Sequence, residues 1–219
     1  MNDLDAAIFD MDGLLIDSEP LWQDAEISCL GPLGVPVTRD LCRASAGQRL
    51  DEVLADWYQR FGWEGPNLEE MHGRVMEEVT RLILARGQAL PGALEVIASM
   101  RAAGLKTAIA SSSPPQLIDA VVKKLGIGPV LDLTHSGVDE ERGKPDPAVF
   151  LSTARRLGVS PERCLVFEDA PAGVTAAHRA GMRVIAIPSV VGPDHPAFAV
   201  ADQVLASLLD FNLSELPIA

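Results

Sequence analysis

Ala6-Ala7-Ile8-Phe9-Asp10-Met11-Asp12-Gly13-Leu14-Leu15-Ile16-Asp17 opens on an apolar run, too short for a helix, that ends in an acid. Such a run reads as a strand buried on both faces of a parallel sheet and opening into a turn. Asp10 then stands at the strand's C-terminal end, the edge at which open α/β sheets bind their ligands. Asp10 and Asp12, two residues apart on extended backbone, point the same way, and Gly13 lets the chain turn sharply beyond them. A lone Asp after an apolar run is more often a turn former than a catalyst. Two like charges packed at a buried strand end are a different matter, because they cost stability unless a cation offsets them. The pair therefore asks for a metal.

Three later stretches can partner this pair, and the last of them repeats its design. Residues 105–110 read as a strand that runs into Ser111-Ser112-Ser113 and then Pro114-Pro115 before a helix. A serine there can cap the helix or bind a phosphate oxygen, and both readings stand. Lys144, one of only four lysines, lies in Gly143-Lys144-Pro145 between turn-forming stretches. Its compact ammonium can neutralise a carboxylate and an anionic substrate together. Residues 164–167 form another apolar strand, ending in Glu168-Asp169 ahead of Ala172-Gly173 and a helix. With Asp10 these acids offer hard oxygen ligands for magnesium, and the backbone carbonyl of Asp12 can complete the protein's share. Further strands are expected at 130–134, 183–187 and, weakly, 203–205. Strands alternating with helices in this way imply an α/β fold, a Rossmann-like parallel sheet with helices on both faces.

Between the first strand and the rest, residues 17–83 carry helical periodicity and nothing that reads as strand. Asp17 or Ser18 can cap a first helix ending near Gly31-Pro32, Thr38 a short second one, and Asn67 a long fourth one; residues 50–61 form the third. They make an inserted α-helical domain, leaving residues 1–16 and 84–219 as the discontinuous core. Gly47-Gln48-Arg49 is the candidate substrate loop of the insert, with Trp22 as an apolar wall; Arg49 reads equally well as a surface charge.

The net charge of −13 argues against a nucleic-acid or anionic-membrane partner, since both need a basic surface. Cys29, Cys42 and Cys164 lack paired spacing, so neither a disulfide framework nor a zinc site is expected, and a reducing compartment is favoured. An acidic N-terminus that soon enters a strand, with no membrane-length apolar run, fits a cytoplasmic protein.

Phe9-Asp10-Met11-Asp12-Gly13 with Asp17-Ser18-Glu19 resembles the opening signature of the haloacid dehalogenase superfamily, and Ser111, Lys144-Pro145 and Glu168-Asp169 match its later motifs in order. The resemblance implies that Asp10 is the nucleophile and Asp12 the acid and base. Ser111, with Ser112, would bind the transferring phosphoryl group, and Lys144 would offset its charge. Magnesium would be held by Asp10, Asp12, Glu168 and Asp169, and the insert would act as a cap that closes as a lid. Ala6 through Trp22, Asp56-Trp57-Tyr58, Trp63-Glu64-Gly65-Pro66 and Glu168-Asp169 look most like the β-phosphoglucomutase-type subgroup, closest to bacterial 2-deoxyglucose-6-phosphate and hexitol phosphatases. That likeness implies a magnesium-dependent phosphatase of small phosphate monoesters, sugar or sugar-alcohol phosphates, working through an aspartyl phosphate. A phosphosugar mutase is the first rival, yet Trp22 stands where the mutases carry His, the insert has no lysine, and Pro114-Pro115 replace polar residues. A phosphoglycolate-type phosphatase is a second rival. A non-catalytic binding protein is disfavoured because every polar group the chemistry needs is present.

Overall fold

A computed structural model describes residues 4–45, 48–189 and 191–215. Six strands, β1 (Ala6–Phe9), β2 (Lys106–Ser111), β3 (Leu133–Ser136), β4 (Cys164–Glu168), β5 (Arg183–Ala186) and β6 (Gln203–Val204), form one sheet of order β3-β2-β1-β4-β5-β6. All its pairings are parallel. β1 lies at the centre, where the direction of chain progression reverses between β2 and β4. At such a point loops on opposite sides diverge and leave a crevice at the strands' C-terminal ends.

Alternate strand residues supply the two apolar layers that the continuous hydrophobic runs require. Ala6, Ile8, Ala110 and Val166 pack with Phe150 of α7 (Ala148–Leu157) and Val174 of α8 (Pro171–Arg179). Phe9 and Phe167 point to the opposite face, stacked with centroids 4.9 Å apart, and Phe211 meets Phe167 edge-on at 4.8 Å. Also in this part of the chain are α5 (Ala93–Ala102), which packs on β2, and α6 (Pro115–Leu125), which packs by β3.

The chain divides into two units, residues 1–16 with 89–219 and residues 17–88. Among the described residues of the second, every regular element is a helix: α1 (Glu19–Leu30), α2 (Arg39–Ala44), α3 (Leu50–Phe61) and α4 (Leu68–Arg86), besides one short 3-10 turn. Asn67 starts α4 with a reciprocal capping box, its side chain accepting from the Glu70 N–H at 2.9 Å while Glu70 accepts from the Asn67 N–H. Thr38 caps α2 through the Leu41 N–H. α4 runs unbroken to Arg86, which carries the helical unit past the expected residue 83.

Two local expectations are corrected. Ser18 has helical backbone angles and its hydroxyl makes no cap bond; its carbonyl instead receives the Leu21 and Trp22 N–H groups. β3 begins at Leu133 rather than Val130, because Gly128–Val130 is a 3-10 turn and Asp132 is tied across to β2, its carboxylate accepting from the Thr107 N–H at 2.8 Å.

Inside the helical unit Glu26 of α1 is 7% exposed and accepts a hydrogen bond from the Cys42 thiol of α2. Burial pushes its carboxyl up to about 7, Glu19 adding to the effect and the thiol opposing it. A folded state that holds this proton more tightly than the unfolded chain loses stability as pH rises from the ordinary glutamate range through 7. Glu26→Gln mimics the protonated form at every pH. Urea denaturation should therefore show the variant more stable by roughly 3 kcal/mol at about pH 8, with the gain shrinking to nearly nothing at about pH 4.5.

Candidate active site

The sheet delivers its polar residues to one edge. Asp10 follows β1 directly, Ser111 ends β2, Glu168 ends β4 with Asp169 next, and Lys144 precedes α7. Lys144 Nζ donates to Asp10 Oδ1 at 2.5 Å, to Glu168 Oε1 at 2.7 Å and to the Ala110 carbonyl at 3.2 Å. It also stands 4.9 Å from the centroid of the Phe150 ring. With 8% of its side chain exposed, the ammonium is buried between two strand ends. Burial alone would lower its affinity for a proton, but the charges of Asp10 and then Glu168 outweigh that and hold it above the usual lysine range.

Glu168 uses both carboxylate oxygens. Oε1 receives Lys144, and Oε2 accepts from the Asp169 and Ala170 N–H groups at 2.9 and 3.0 Å, where the chain enters α8. Gly173 makes room for it, since a Cβ there would overlap the carboxylate. Asp169 is 2% exposed and accepts from the Ser189 hydroxyl. Gly13, with φ +76°, leaves space for it in the same way, and its positive φ is the conformation glycine adopts without strain. Burial, then the charges of Glu168 and Asp10, raise the Asp169 carboxyl well above the usual range.

Three buried acids thus face one ammonium, and the site is short of positive charge. Among the described residues no three acid, imidazole or thiol groups form a ready metal cage. Magnesium does not need one, because it is commonly held by one or two carboxylates with water and substrate oxygens completing its shell. Asp10 and Asp169 fit that donor set.

The Asp12 carboxylate accepts through Oδ2 from the Ser113 hydroxyl at 2.6 Å. Ser111 is buried and its hydroxyl accepts from the Ser113 N–H at 3.1 Å; Ser112 is exposed. Gly47 lies outside the described residues. Arg49 belongs to the helical unit, where its guanidinium forks onto Asp51 at 3.1 and 3.2 Å.

Reading the sequence missed Gly173, Ser189, Ser136 and Ser113. Ser113 is visible as the third serine after a strand, but nothing in the sequence separates it from its neighbours. Ser189 carries no local signal, because its partner is 20 residues away.

Residues 4–181 match the family described as haloacid dehalogenase-like hydrolase. This chain belongs to that family. The hydrolase is 37% identical over 212 residues to hexitol phosphatase B of Escherichia coli K12, covering 96% of each chain. It is 34% identical over 182 residues to the phosphorylated carbohydrates phosphatase of Thermotoga maritima, over 83% of this chain and 84% of that one. Its fold matches CbbY from Rhodobacter sphaeroides, solved in complex with phosphate, with a TM-score of 0.86 and 28% identity over 97% of this chain and 99% of that one. Its enzyme class is that of phosphoric monoester hydrolases.

The Gly173 contact gives a direct test of the site's construction. Alanine in place of a helical glycine ordinarily stabilises by up to about 1 kcal/mol. Here Gly173→Ala should destabilise by about 2 kcal/mol and lower kcat at least about a hundredfold, because Glu168 must leave Lys144. Thermal denaturation and hydrolysis measured on the same preparation check both effects.

Proposed function

We propose that the hydrolase is a magnesium-dependent phosphatase of small sugar or sugar-alcohol phosphates, working through a phosphorylated Asp10. The observation that carries this reading is the buried Lys144 ammonium on Asp10, with Asp12 beside it at the same sheet edge. A carboxylate approaching a phosphate dianion is repelled by it, and a fixed cation at the nucleophile removes much of that repulsion. The likeness to hexitol phosphatase B and the phosphorylated carbohydrates phosphatase supports the substrate class.

Asp10 attacks phosphorus in line with the ester oxygen, and the phosphorus–oxygen bond to the sugar breaks. Asp12 gives its proton to the departing alkoxide. Water then attacks the aspartyl phosphate, Asp12 takes the proton, and Asp10 is released with inorganic phosphate. Lys144 holds Asp10 throughout, and the Ser111 hydroxyl binds an oxygen of the transferring group. Glu168 serves chiefly to hold Lys144. Asp10, Asp169 and the Asp12 carbonyl would hold the magnesium ion, which when bound supplies further charge neutralisation at the phosphoryl oxygens.

Phosphate release from a panel of hexose, hexitol, glycerol and glycolate phosphates, with magnesium or with EDTA, tests the reading. Metal-dependent release favouring hexose or hexitol phosphates is expected, and Asp10→Asn should lower turnover by more than about a thousandfold. Conversion of β-glucose 1-phosphate to its 6-phosphate without net release would instead make the enzyme a mutase.

A further inference from the structure

Ser113 has a place in this site that phosphate binding does not explain. Its side chain is buried, with 9% of the residue exposed, and three hydrogen bonds in different directions fix it. Its N–H donates to Ser111 Oγ at 3.1 Å, its carbonyl accepts from Ser136 Oγ at 2.7 Å, and its hydroxyl donates to Asp12 Oδ2 at 2.6 Å. Ser111 and Ser136 are themselves paired in register as the last residues of β2 and β3. The sheet therefore sets the position of the Ser113 backbone, and the Ser113 hydroxyl passes that position on to Asp12. Asp12 lies on the turn after β1, 101 residues away in sequence.

We propose that Ser113 is a positioning residue for proton transfer by Asp12. The proposal rests on the reading of Asp12 as acid and base. A carboxyl group has two oxygens and carries its transferable proton on one of them. A neutral hydroxyl that donates to Oδ2 makes that oxygen the acceptor, so the proton is carried on Oδ1. In the first half-reaction the bond between phosphorus and the ester oxygen breaks, its electron pair stays on that oxygen, and the oxygen takes the Oδ1 proton. During the second, the oxygen of water bonds to phosphorus, the Asp10–phosphorus bond breaks with its pair returning to Asp10, and a water proton goes to Oδ1. Ser113 keeps its own proton throughout. Its contribution is the orientation of the carboxyl, worth the part of general acid catalysis that depends on aim.

Such a role has a signature that neither phosphate binding nor general packing shares. An alkoxide leaving group needs the proton, whereas p-nitrophenolate leaves without it. Kinetics of wild type, Ser113→Ala and Ser113→Thr on glucitol 6-phosphate and on p-nitrophenyl phosphate read this out. For Ser113→Ala we expect kcat/KM on glucitol 6-phosphate to fall about a hundredfold. On p-nitrophenyl phosphate kcat/KM, which reports only the steps up to formation of the aspartyl phosphate and needs no proton from Asp12, should change less than about threefold, whereas kcat falls with the hydrolysis step that both esters share. Ser113→Thr keeps the hydroxyl and should restore most of the loss. Ser136→Ala, which removes the bond to the Ser113 carbonyl together with the one accepted from the Val138 N–H, should show the same selectivity at about tenfold and decides the matter if Ser113→Ala does not fold. Equal losses of kcat/KM on both esters, or a rise in KM with kcat held, would overturn the role of Ser113 and leave the phosphatase reading standing. Wild-type enzyme that releases phosphate from neither ester would remove that reading and this inference with it.

Discussion

The site depends on a buried ammonium. Lys144 is the cation that lets Asp10 and Glu168 share the C-terminal edge of the sheet, and it does so with little exposure to water. Removing one partner from such an arrangement costs about 3–5 kcal/mol in general, because the remaining charges stay buried without compensation. The same contact keeps the Asp10 carboxylate, the nucleophile of the proposed reaction, next to positive charge. Stability and reactivity are thus tied to one interaction, and the space left for Glu168 by Gly173 belongs to both.

Sheet order explains why these groups meet. β1 sits between β2 and β4, so residues more than 150 positions apart in the chain end neighbouring strands at one edge. Each strand brings one kind of group: a carboxylate from β1, a hydroxyl from β2, a carboxylate pair from β4. The strands are buried and short, and their ends are positioned by the two apolar layers rather than by the loops that follow. Substituting a loop residue changes the site locally, whereas a shift of one strand register would turn the polar group at its end to the opposite face.

Much of this was legible in the sequence because apolar runs that end in polar residues announce both a buried strand and its functional end. Asp10, Ser111, Glu168 and Asp169 could be found that way, Lys144 from its place between turn-forming stretches in a chain with few lysines, and the helical stretch between the first two strands from its periodicity. Pairings could not. Two adjacent acids such as Glu168 and Asp169 look alike in a sequence, yet one is turned onto Lys144 and two amides while the other meets Ser189. Rotamer and tertiary distance decide this, and neither is written locally. The start of β3 was misplaced for a related reason: Val130 is apolar, but Pro129 and the tie from Thr107 to Asp132 hold the preceding residues in a turn. Ser113 was passed over because its bonds run to Asp12 and to Ser136, both distant in the sequence.

The two places where the chain passes between units have a consequence of their own. The Leu15 carbonyl accepts from the Leu90 N–H at 3.1 Å, and the Asp17 N–H donates to the Gln88 carbonyl at the same distance. Departure and return are therefore hydrogen-bonded neighbours, and a segment attached in this way closes a loop whose ends are already together. Its length and content are weakly constrained by the sheet, since the entropy of closing a loop grows only slowly with the number of residues in it. Such an attachment point behaves as a socket: helical segments of other sizes can be accepted there without altering the strand ends that carry Asp10, Ser111 and Glu168.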